Sequence, residues 1–137
     1  MFPELLGTLE LRIVIHDRST EAGTDLFHPG QLEATIRAIY KRGFPDPEDS
    51  NRLPDDYKSV DINGKAWLNY LNRGGKTSED RLCYAIPITA THFLEASFRV
   101  IKTDESDTDK WYEVSQSDME KMINSFSVNY TESSQPK

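Results

Sequence analysis

The stretch Tyr57-Lys58-Ser59-Val60-Asp61-Ile62-Asn63-Gly64-Lys65-Ala66-Trp67-Leu68-Asn69-Tyr70-Leu71 decides the fold. Asn-Gly readily occupies the two positive-φ positions of a type I′ turn, and the twist of that turn matches the twist of the strands it joins. Alternating apolar residues on both sides of Asn63-Gly64 therefore predict a β-hairpin. A two-residue turn fixes its register, placing Val60 opposite Trp67 and Tyr57 opposite Tyr70. The domain is thus built on antiparallel strands.

Beyond the hairpin, Arg73-Gly74-Gly75-Lys76 and Ser78-Glu79-Asp80 make a turn, and residues 82–90 resume alternation through Leu82, Tyr84, Ile86 and Ile88. Pro87 lies on the opposite parity and lacks an N–H for the ladder, so the expectation is an edge strand or a bulge there. Residues 92–101 alternate again, with Leu94, Ala96, Phe98 and Val100 on one face and Glu95, Ser97 and Arg99 on the other. A solvated acidic connection is expected over residues 103–109, then a short strand over 111–114. Ser117 followed by Glu120 has the spacing of a capping box. Met119, Met122, Ile123 and Phe126 then follow at i, i+3, i+4 and i+7, the stripe of an amphipathic helix. The polar residues 131–137 read as a disordered tail.

Upstream, residues 8–16 alternate, with Leu9, Leu11, Ile13 and Ile15 on one face and Glu10, Arg12 and Val14 on the other. This is a first strand. A polar turn over residues 19–25 leads to Pro29-Gly30, after which Leu32, Ile36, Ile39 and Tyr40 follow helical spacing and Gly43 closes the helix. Residues 44–56 hold three prolines and five acids and read as an exposed loop. The expectation is one α+β domain over residues 1–130, a mostly antiparallel twisted sheet covered by two helices. Apolar residues on both strand parities, such as Val14, Phe93 and Ile101, point toward an α/β/α sandwich.

The 137 residues suffice for one core, and 10% aromatic content excludes a disordered chain. Sixteen basic residues stand against 23 acidic ones, a net charge of −7, which disfavours nucleic-acid backbones and anionic membranes as partners. No apolar run approaches a membrane span. The single Cys83 excludes an internal disulfide or a cysteine-based zinc site. His16, His28 and His92 show no metal-binding spacing, the acidic run lacks the glycine and terminal glutamate of a calcium loop, and no serine-hydrolase or zincin motif is present. No metal, cofactor or catalytic residue is expected. Cys83 and His92 come into reach of each other only if residues 82–101 fold back as a hairpin, and a buried, inert thiol is the preferred reading.

The acidity is concentrated. Residues 46–56 carry five acids and one base, residues 103–120 carry seven acids and one base, and the remaining chain is net positive. Such segments suit a cationic or cleft-like protein surface, where complementary charge speeds encounter. The candidate partner-binding residues are Asp104, Glu105, Asp107 and Asp109 with Trp111 and Tyr112 as adjacent anchors, then Asp46, Glu48, Asp49, Asp55 and Asp56.

The hairpin Val60-Asp61-Ile62-Asn63-Gly64-Lys65-Ala66-Trp67, the two strands after it and the closing segment Met119-Glu120-Lys121-Met122-Ile123-Asn124-Ser125-Phe126 resemble the C-terminal half of the Mog1/PsbP-like fold, over residues 57–128. That resemblance implies an α/β/α sandwich that acts through its surfaces, as in immunity proteins that occlude the active sites of type VI secretion effectors. It carries over no catalytic residue. The expected function is a non-enzymatic protein-binding module that inhibits a bacterial toxin, cytoplasmic as the sequence stands, or periplasmic if Met1 replaces a removed export signal. The alternatives are a small-ligand-binding protein or small enzyme with a pocket between sheet and helix, using Tyr57, Tyr70, Tyr84 or His92, and an acidic nucleic-acid mimic.

Overall fold

The computed structural model describes residues 7–21, 23–47, 53–72, 81–102 and 108–128. The chain runs β1 (Gly7–Asp17), α1 (Gln31–Gly43), β2 (Asp55–Ile62), β3 (Lys65–Asn72), β4 (Arg81–Pro87), β5 (His92–Lys102) and α2 (Thr108–Asn124). The strands form one five-stranded sheet in the order β1-β5-β4-β3-β2, and every neighbouring pair is antiparallel. The expected α+β class is the observed one. β2 to β5 make a meander, and α1 carries the chain from β1 on one edge to β2 on the other.

The sheet buries both faces because both strand parities carry apolar side chains. On one face Tyr70, Cys83, Ala85 and Phe93 pack with Leu26 and with Ile36 of α1. On the other, Ile62, Trp67, Ile86 and Phe98 pack with Met119 and Ile123 of α2. The helices therefore lie on opposite faces, an α/β/α sandwich. Gly30 (φ 81°) precedes α1 in the left-handed conformation, and Leu32, Ile39 and Tyr40 join Ile36 along its inner face.

The hairpin register is as the Asn-Gly turn dictates, with Val60 opposite Trp67 and positive φ at Asn63 (53°) and Gly64 (80°). Near the strand start, an irregularity between Asp55 and Lys58, with Asp56 at φ 57°, interrupts the ladder. Tyr57 still faces Tyr70, their rings stacked with centroids 5.1 Å apart. Asn63 has a second task, since its Nδ2 donates to the carbonyl oxygens of Asn124 (2.9 Å) and Phe126 (2.6 Å) and so ties the end of α2 to the hairpin. Asn63→Gly keeps the turn and loses both bonds, and should cost about 1 kcal/mol. Asn63→Ala adds the positive-φ penalty and should cost about 2 kcal/mol. Urea unfolding of the two variants measures both costs, and an Asn63→Gly variant as stable as the wild type would contradict the tie.

Several boundaries differ from expectation. β4 is an interior strand, not an edge, and shows no bulge; Pro87 is tolerated because it is the last residue of the strand, opposite Phe93. Residues 111–114 are helical, not a strand, and Ser117 sits inside α2 rather than capping it. No proline or glycine interrupts residues 108–124, and Trp111 and Val114 stand at i, i+3, a helical spacing rather than the i, i+2 of a strand face. The acidic connection accordingly ends before Thr108. Met122 is on the exposed side of α2, and Phe126 packs from beyond the helix end. The segment after α1 is not uniformly exposed, since Pro54 is buried and Asp55 and Asp56 already belong to β2. Residues 131–137 lie outside the described residues.

Candidate functional site

On the α1 side, the pairing register lays side chains in rows across the sheet. Val14, Glu95, Ala85 and Leu68 form one row, and Arg12, Ser97, Cys83 and Tyr70 the next. Glu10, Arg99, Arg81 and Asn72 follow, while His16 and Phe93 stand on the other side of Glu95. Ser97 and Cys83 are small where their neighbours are large, so the sheet is hollow between them. Ile36, Ile39 and Tyr40 of α1 roof this hollow and leave a pocket of about 300 Å³ that opens past Arg12 and Val14.

Glu95 forms one wall. Its side chain is 12% exposed. Oε1 lies 3.1 Å from His16 Nε2, and Oε2 accepts hydrogen bonds from the hydroxyls of Tyr40 (3.2 Å) and Tyr70. Burial alone would raise this carboxyl, but the bonds from His16, Tyr70 and Tyr40 outweigh it and hold the group below the ordinary carboxylate range. His16 is itself fixed by stacking on Phe93, with ring centroids 4.4 Å apart. Burial and the Glu95 charge push the phenols of Tyr40 and Tyr70 far up, and the same two causes push up the Cys83 thiol. Asn72 Nδ2 donates to the Tyr40 oxygen at 3.3 Å, completing the network.

The mouth is cationic. Arg99 Nη2 (2.9 Å) and Arg81 Nη1 (3.3 Å) both reach Glu10, whose carboxyl is held below its usual range chiefly by Arg99. Arg12 is exposed, lines the pocket, and has no acidic partner among the described residues. An acidic protein thus gathers three guanidinium groups against two carboxylates on this part of the sheet.

The second feature is β1 itself. It pairs only with β5 and so leaves one ladder edge open among the described residues. Leu9 and Leu11 pack under α2, but Ile13 and Ile15, on the same face, are 52% and 58% exposed. The reason is the path of α2. It starts beyond the Lys102 end of β5 and finishes at the Asn63 hairpin, at the opposite end of the sheet and toward the other edge. That diagonal leaves the Ile13/Ile15 corner of the sheet bare.

Of the acidic candidates, Asp46 and Asp56 are exposed and Asp55 is half-buried, the last two on β2, at the edge farthest from β1. Asp109, Trp111 and Tyr112 lie in the first turns of α2. Glu48, Asp49, Asp104, Glu105 and Asp107 lie outside the described residues. The tyrosine and histidine candidates do not form one pocket. Tyr70 faces α1, whereas Tyr84 faces α2 and meets Phe98 edge-on at 6.0 Å. Tyr57 is pushed up to about 12 by burial, against the opposing charge of Arg37, which lies 4.1 Å over its ring.

His92 is remote from Cys83, which pairs with Ser97. Its Nε2 lies 3.3 Å from Asp17, and its Nδ1 meets the hydroxyls of Thr89 (3.0 Å) and Thr91 (2.9 Å). The residues that sequence reading missed are His16 and Glu95. Their strands and their shared face with Val14 and Phe93 could be read from the pattern, but nothing along β1 or β5 says that His16 and Glu95 meet beneath a helix.

Among the described residues no three His, Cys, Asp or Glu side chains converge as metal ligands do, and no helix is long and apolar enough to cross a membrane. Set against protein-family models, curated proteins and solved structures, the chain matches none of them.

Proposed function

We propose that this protein is a non-enzymatic protein-binding module of the immunity type, which inhibits a bacterial toxin by covering its active site. The observation that carries the reading is the bare corner of β1. An open strand edge offers main-chain donors and acceptors to an extended segment of a partner, and Ile13 and Ile15 supply the apolar contact beside it. A chain that leaves such an edge open among its described residues risks self-association, so an edge of this kind has a use. The concentrated acidity adds a preference for a basic partner. The chemistry of the pocket also favours holding over turnover. Glu95 is ionised and engaged by three protein donors, and the Cys83 thiol is disfavoured as a thiolate, so neither is poised as acid, base or nucleophile.

The test is retention of a partner from extracts of the native organism at low and high salt, followed by assay of the retained protein with and without an equimolar amount of this chain. The reading requires that the partner be a toxic enzyme and that the chain inhibit it. The double variant Ile13→Asp/Ile15→Asp should lose that inhibition at least tenfold while costing about 1 kcal/mol of stability or less, because both side chains are exposed. Retention without inhibition, or inhibition undiminished in the variant, would overturn it. The pocket independently favours a second reading, a site for a small ligand.

A further inference from the structure

We infer that the pocket beneath α1 is a binding site for a small organic monocarboxylate. This inference stands on the pocket alone and does not depend on the protein-inhibitor reading.

Its volume is that of the smaller ligand sites, and its walls divide by chemistry as such sites do. Val14, Ile36, Ile39 and Phe93 provide an apolar lining for a hydrocarbon or aromatic body. The polar groups select the sign of the ligand's charge. Glu95 is an anion in the wall, but its oxygens are engaged by His16, Tyr40 and Tyr70, and the guanidinium groups of Arg12 and Arg81 in the same lining outweigh its charge. Arg81 is engaged by Glu10, though Arg99 shares that same carboxylate. Arg12, exposed and in the lining, is the guanidinium with no acidic partner among the described residues.

A planar guanidinium with free donors matches a carboxylate bidentately. Ser97, buried on the floor of the hollow between Arg12 and Cys83, adds a hydroxyl that can donate to the same group. One available guanidinium and one hydroxyl suit a monoanion. A phosphate dianion would call for more donors than the pocket presents. A cationic guest would meet Arg12 at the entrance and find no unengaged carboxylate in the lining among the described residues.

Benzoate is the probe. Amide ¹H–¹⁵N spectra of the full chain are followed during titration with sodium benzoate at constant ionic strength, with benzamide and acetate titrated in parallel. The expected result is saturable movement of the Val14, Glu95 and Ser97 amides in the low millimolar range. Benzamide should bind roughly tenfold more weakly, having the same body without the charge, and acetate likewise, having the charge without the body. Arg12→Gln, an exposed position that leaves the core untouched, should weaken benzoate by roughly tenfold and leave benzamide unchanged. Absence of saturable movement at those amides, equal binding of benzoate and benzamide, or benzoate binding unaffected by Arg12→Gln would each overturn the inference.

Discussion

Glu95→Ala should lower stability by about 3–5 kcal/mol at neutral pH, because it removes the shared acceptor of three partners and leaves them buried. Two phenols and an imidazole would then face a hollow with no oxygen to receive them. Glu95→Gln separates the charge from the shape, and its effect depends on pH. The folded carboxyl binds a proton less readily than the unfolded one, so acidification protonates the unfolded chain first and draws the equilibrium toward it. The stabilisation is present above the ordinary carboxylate value of about 4.3 and is lost as pH falls through the lower folded value. The stability gap between wild type and Glu95→Gln should therefore be widest at neutral pH and close below about pH 4. Glu10 and Asp17 are lowered as well, but both variants keep them, so they cancel in the difference. Urea unfolding at a series of pH values measures the gap, and a gap that is constant down to acid would show that Glu95 is not held ionised.

The second large effect belongs to the other face. Trp67 is 2% exposed, sits in the α2-side core and meets Phe126 with ring centroids 6.0 Å apart. Trp67→Ala should cost about 3–5 kcal/mol, the loss of a large buried side chain plus the cavity left behind. The damage should also be directional. Phe126 follows α2, and Asn63 holds the same helix end, so hydrogen exchange should quicken in α2 before it quickens in α1. Trp67→Phe should restore most of the stability. A cost below about 1 kcal/mol, or equal loosening of both helices, would show that Trp67 does not anchor that layer.

How much of this was legible beforehand depended on whether the deciding interaction was local. The Asn63-Gly64 turn sets its own register through two backbone conformations, and Val60 opposite Trp67 followed directly. β1, β5 and α1 were likewise readable from periodicity, to within a residue or two at their ends. Residues 111–114 do not form the expected strand because aromatic and β-branched residues over so short a span carry β propensity but no period, and Trp111 and Val114 at i, i+3 belong to the helix that continues to Asn124. Pro87 misled because a proline excludes the middle of a central strand but not its last position.

The pocket was hidden for a different reason. Glu95, Ser97 and Arg99 alternate with apolar residues, and such a strand ordinarily shows its polar side to water. Here α1 returns over that side. Phe93 and Val14 on that parity point to a second layer, but which polar groups lie beneath it is set by a helix some sixty residues upstream, and no window along β5 contains that information. The bare Ile13/Ile15 corner was hidden the same way, since it arises from the diagonal of α2 and not from the alternation of β1.

The order β1-β5-β4-β3-β2 joins the first strand of the chain to the last, Leu9 lying opposite Val100. On the ribosome this means that β1 cannot pair with β5 until some ninety further residues have been synthesised and have left the exit tunnel. For that interval its apolar stripe, Leu9 through Ile15, lacks its β5 neighbour. The β2–β5 meander can zip by short loops, but closing β1 onto it is the longest-range step and sets the pace of folding. A chaperone that captures nascent extended segments should therefore engage this chain at β1 and release it only once β5 is complete.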